Sequence, residues 1–176
     1  MNFKKQNLLI MGILITLGIA GRLLVHLPNF TPLAAIAWFS AFYFARRSAY
    51  ITILVTMILS DAVIGFYTGG VLVAVYGSFL LLAYLGHHFK NNINAWRVVG
   101  ASLLGSTIFF LITNAAVWAF TPLYAKNFAG LWQSYIMGLP FYRNAMLGDL
   151  VYSSLLFGAA AVVALVIKKR VIWEKV

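Results

Sequence analysis

The chain has 176 residues, of which 63% are hydrophobic and 9% charged, with a formal net charge of +10 and a mean hydropathy of +0.93. A water-soluble domain of this size must cover itself with polar groups and cannot use so much apolar surface, so a soluble fold is excluded. The absence of cysteine excludes disulfides and thiolate metal sites, and the basic residues fall between apolar runs rather than along one face, which is the pattern of membrane orientation and not of nucleic-acid binding.

Lys4 and Lys5 followed by an apolar run from Leu8 imitate a signal peptide, and Gly18-Ile19-Ala20 has the small residues of a cleavage site. The run leads through Arg22 into further apolar sequence, so it is expected to stay as a first membrane span over 8–24. Further spans are expected over 31–45, 50–66, 70–86, 98–120 and 143–167. Several approach the ~20 residues that cross ~30 Å of hydrocarbon; the second and third are shorter. His26-Leu27-Pro28-Asn29 breaks the first span from the second, since proline ends or kinks a helix. Arg46-Arg47-Ser48 and Tyr67-Thr68-Gly69-Gly70 make the next two turns, and His87 to Arg97 a polar fourth loop. The adjacent His87 and His88 point ~100° apart on a helix, so a solvated loop explains them better than a metal pair does. Residues 122–142 are long, aromatic and partly polar, which suits a short helix on the membrane surface or folded over the bundle. The expected fold is therefore an all-α membrane protein, one transmembrane domain over 1–176 built as a bundle of six helices.

Lysine and arginine set the expected orientation. With the N-terminus cytoplasmic, that side holds Lys4, Lys5, Arg46, Arg47, Lys90, Arg97, Lys168, Lys169, Arg170 and Lys175, and the other side Arg22, Lys126 and Arg143. An even number of spans puts both termini on the cytoplasmic side of a bacterial inner membrane.

Only three acids are present, and two of them, Asp61 and Asp149, fall within spans. A charge at the bilayer centre costs at least ~2.5–3.5 kcal/mol, so such groups face a bundle interior or a cavity. At ~1.5 Å per residue, Asp61 lies ~16 Å, Arg22 ~21 Å and Asn114 ~24 Å from the inner ends of their spans, and Asp149 ~9 Å in from the outer end. His26, Tyr67, Trp118 and Asn144 lie near the same level. Polar groups from several helices thus converge in the outer half, either as a structural network tying helices together or as a pocket open to the outside. Arg22, Asp61, Asn114, Arg143, Asn144 and Asp149 are expected to form one connected cluster, with Arg22 the partner of a carboxylate. No phosphate-binding loop, zinc motif or nucleophile elbow is present, so no catalysis is expected, and uphill transport would draw on a partner or an ion gradient.

The segments Arg22 to Phe39, Leu59-Ser60-Asp61-Ala62-Val63-Ile64-Gly65-Phe66, Thr113-Asn114-Ala115-Ala116-Val117-Trp118 and Pro140-Phe141-Tyr142-Arg143-Asn144 to Asp149 resemble an uncharacterised bacterial family of six-helix membrane proteins, similar to the S-components of energy-coupling factor (ECF) transporters. The resemblance spans nearly the whole chain. It implies a subunit that binds a vitamin-like solute from outside, with no cofactor. Solute contacts would come from Arg22, His26, Asn29, Asp61, Tyr67, Asn114, Trp118, Arg143, Asn144 and Asp149. A separate coupling subunit and two ATPases would drive release inward. S-components dock that subunit through small residues of the first helix; here the spacing is Gly12, Thr16 and Ala20, with Thr16 departing from alanine. Two other functions fit the residues: a secondary or proton-linked transporter using Asp61 and Asp149, and a structural membrane protein whose buried charges only hold the bundle.

Overall fold

The computed structural model describes residues 3–24, 27–89 and 93–173. They form six helices: α1 (Phe3–Leu23), α2 (Leu33–Tyr43), α3 (Arg46–Ile64), α4 (Gly69–Phe89), α5 (Ala95–Phe120) and α6 (Phe128–Trp173). Helices satisfy every backbone amide within one segment, which hydrocarbon demands. Their ends are set locally. The Asn94 side chain accepts from the Arg97 backbone N–H at 2.9 Å and caps α5. Gly65, at φ 108°, takes a conformation open to glycine and donates its N–H to the Asp61 carbonyl at 2.8 Å, which stops α3.

Five of the helices, all but α2, are long and apolar enough to cross a membrane. Their outward faces carry the side chains lipid would solvate: Leu155, Val162 and Leu165 are 60–62% exposed. The chain is an all-helical membrane protein.

The second expected span, 31–45, contains a shorter helix than expected, Leu33–Tyr43. α2 has 11 residues, or about 16 Å of helix, roughly half a hydrocarbon core. It is buried within the bundle as the chain returns from the Arg22 end to the Arg46 end: Leu33 to Ala41 are all buried, and α2 packs against each of the other five helices. Such a helix is apolar all round, so composition alone does not show whether protein or lipid surrounds it. Trp38 at its centre is 1% exposed. The indole fits because glycines face it from both sides: a Cβ on Gly86 would lie 3.2 Å from its ring, and one on Gly105 would lie 2.8 Å from Nε1.

The segment 122–142 is corrected. It is no separate surface helix, because helix resumes at Phe128 and runs without a break through Pro140 to Trp173. Its polar and aromatic groups are used against α5. Tyr135 donates its hydroxyl to the Leu111 carbonyl at 3.1 Å, and its ring lies 5.6 Å from Phe110. The result is a long α5–α6 hairpin, whose α5 end, at Phe120, lies against the start of α4 at Gly70. At the fourth loop, His87 and His88 belong to the last turn of α4, where the His88 ring packs 4.5 Å from Tyr84.

α1 sits at the edge of the bundle, touching α3 and α2. Its Gly12, Thr16 and Ala20 lie on an open outer face, in a shallow groove with Leu8 and Leu17. The Thr16 hydroxyl donates to the Gly12 carbonyl at 3.0 Å.

Candidate functional site

Two buried polar groups meet near the end of the bundle that holds the α3–α4 turn. The first joins α1, α3 and α4. Arg22, in the last turn of α1, pairs with Asp61 of α3 at 2.5 Å, the side chains being 7% and 0% exposed. The same guanidinium nitrogen donates to the Ser60 hydroxyl at 2.6 Å, and the other terminal nitrogen donates to the Tyr67 hydroxyl at 3.5 Å. Tyr76 of α4 donates to the second Asp61 oxygen at 2.7 Å. Both oxygens of the carboxylate and both terminal nitrogens of the cation thus have partners, the condition under which a buried ion pair is tolerated. Serine next to aspartate makes this possible: Ser60 accepts from Arg22 while donating to its own helix at the Thr56 carbonyl, 2.7 Å away.

The second group joins α5 and α6. Asp149 is 5% exposed, and Ser106 of α5 donates its hydroxyl to Asp149 Oδ2 at 2.5 Å. Among the described residues Asp149 is in no ion pair.

Between the groups lies a cavity of about 50 Å³, whose walls include Arg22, Asn29, Tyr67, Phe79, Phe109 and Asp149. It adjoins a larger space of about 280 Å³ that shares Asn29, Tyr67, Val75 and Phe109 and adds Asn114, Tyr124 and Phe141 from the α5–α6 hairpin. Asn29 reaches both because its backbone stands at φ 62°, the left-handed region that asparagine tolerates better than most residues. The loop carrying it is fastened to α6: Asn144 donates to the Pro28 carbonyl at 3.1 Å, and Gly148 lets the backbone of Phe30 come so close that a Cβ would lie 3.1 Å from it.

Arg22, Asn29, Tyr67 and Asp149 line the inner cavity, Asn114 lines the outer one, and Asp61 holds Arg22 from behind. Asn114 Nδ2 is bonded to the Phe110 carbonyl at 2.8 Å. Asn144 braces the α1–α2 loop. His26 lies outside the described residues.

Two residues are corrections. Trp118 lines neither cavity; its indole N–H donates to the Ala125 carbonyl at 2.9 Å, and the Lys126 ammonium bonds to the Trp118 and Thr121 carbonyls, so this set closes the α5–α6 turn. Arg143 is exposed and lines neither cavity. Six residues turn a helix by about 240°, so Arg143 stands on a different face from Asp149, whereas Ala145, four residues away, shares its face and lines the cavity. The expected single cluster is therefore two hydrogen-bonded groups with separate partners, joined by the cavity that Arg22 and Asp149 both line.

Ser60, Tyr76, Ser106, Phe79 and Phe109 belong to the site without having been singled out. The serines carried a signal: Ser60 adjoins Asp61, and Ser102 and Ser106 are four apart on α5.

The cavity is walled by residues of five of the six helices of an all-helical membrane protein. A family profile matches residues 2–171, and the chain belongs to that family, described as a family of unknown function (DUF6580). No curated protein and no solved structure matches the chain.

Proposed function

We propose that the protein is a solute-binding membrane subunit, similar to an ECF S-component, that takes up a vitamin-like small molecule with the help of a coupling subunit and two ATPases. The observation that carries the reading is the cavity of about 280 Å³ at one end of the bundle, with a buried ion pair and a second buried carboxyl at its base. A network serving only to tie helices together needs no open space beside it. The open face of α1 at Gly12, Thr16 and Ala20 supplies a surface on which a partner's helix could approach closely, as small residues allow.

The reading requires the cavity to open away from the cytoplasm. The basic residues Arg46, Arg47 and Arg97 stand at the opposite end, in the first turns of α3 and α5, and the positive-inside rule puts that end in the cytoplasm. Cysteine at Lys5 is therefore expected to be shielded from impermeant thiol reagents in intact cells, and cysteine at Leu123, in the α5–α6 turn, to be labelled. The reverse pattern would invert the protein and close the cavity to external solute.

Uptake by binding is tested by mass spectrometry of small molecules released from the purified, denatured protein. A compound retained at a fixed ratio to protein is expected. Its absence after purification under mild conditions from several growth media would contradict the reading.

A further inference from the structure

We infer that the inner cavity takes a positively charged group of its ligand, an ammonium or amidinium, with Asp149 as the anionic anchor. This rests on reading the cavity as a solute site and names the class of solute.

Two charged side chains line the inner cavity, Arg22 and Asp149. The charge of Arg22 is balanced at 2.5 Å by Asp61. That of Asp149 is balanced by no cation among the described residues: Arg143 lies outside the cavity, and Lys126 is bound to carbonyls at the hairpin turn. Asp149 Oδ2 accepts from the Ser106 hydroxyl. An ionised Asp149 would thus make the net charge of the cavity lining negative, although arginines and acids near this level are equal in number. A carboxylate or phosphate entering here would face Asp149 directly and would have to compete with Asp61 for Arg22. A cation would complete an ion pair in a place where an unpaired charge is costly.

The rest of the wall agrees. The rings of Phe79 and Phe109 lie 4.9 Å apart and both border the cavity with the Tyr67 phenol; aromatic faces attract cations. At about 50 Å³ the inner cavity admits only a small head group, whereas the adjoining space of about 280 Å³ has room for a ring or chain attached to it.

The test uses the full-length chain in lipid-free detergent micelles, so that no lipid amine competes, and three probes of similar shape: benzylamine, benzyl alcohol and benzoate. Benzylamine is expected to raise the melting temperature and to bind most tightly, benzyl alcohol less, and benzoate least. Asp149→Asn, which keeps the shape and removes the charge, is expected to weaken benzylamine about tenfold or more and to weaken benzyl alcohol far less. Should that variant fail to fold, the ranking on the unaltered chain decides. Benzoate binding as well as benzylamine, unchanged amine affinity in Asp149→Asn, or no binding of any probe would each overturn the charge assignment. None of these would touch the broader reading, which fails separately if no retained compound is found.

Discussion

Replacing Arg22 with methionine is expected to lower stability by about 3–5 kcal/mol, the range for removing one partner of a buried ion pair. The substitution leaves Asp61, at 0% exposure, without its cation. The Tyr76 hydroxyl remains as a donor, but one neutral hydrogen bond does not replace a counter-charge. The double variant Arg22→Met with Asp61→Leu removes both ions and is expected to recover most of the loss, since apolar replacements of a buried pair are often neutral or better. Chemical denaturation in micelles distinguishes the cases. Equal damage in the single and double variants would mean that the pair contributes through shape rather than charge.

Trp38→Ala is expected to cost a similar amount, about 3–5 kcal/mol for a buried aromatic truncated to alanine. The indole packs between Gly86 of α4 and Gly105 of α5, and neither glycine has a side chain to fill the space vacated. Its loss would separate α2 from the two helices that carry Phe79 and Ser106. The variant should therefore lose ligand-induced stabilisation along with intrinsic stability. A fall in stability below about 1 kcal/mol would indicate that the helices close over the gap, as collapse of a cavity reduces its cost.

Much of the architecture was legible because hydrocarbon leaves so few options. The breaks before α3 and before α4, the helical class, and the pairing of Arg22 with a carboxylate all follow from charge and run length, although Arg46-Arg47-Ser48, expected as a turn, is the first turn of α3, and Gly69 and Gly70 already belong to α4. What was not legible has identifiable physical causes. An apolar run reports burial away from water but not whether lipid or protein provides it, so the enclosure of the 11-residue α2 by the other helices was not legible. Pro140 and the aromatics before it resembled a boundary, yet Tyr135 satisfies its hydroxyl on α5 and the helix continues. That continuation moved the apparent helix end away from Arg143 and left it on an exposed face. Trp118 had the right depth and the wrong direction, since its N–H is engaged by the hairpin turn. Depth along an axis can be counted from sequence; rotation about the axis depends on neighbours that the sequence does not place.

The central claim, that the cavity holds a solute, is tested most directly by comparing the unaltered chain with Val117→Trp. Val117 borders the outer cavity, and the larger side chain would occupy that space without touching Arg22, Asp61 or Asp149. The measurement is the molar ratio of retained small molecule to protein, by mass spectrometry, in two preparations matched for melting temperature with the solute removed. The account predicts a fixed ratio in the unaltered chain and a loss of most of it in Val117→Trp. The same ratio in both, or no retained molecule in either, would contradict it.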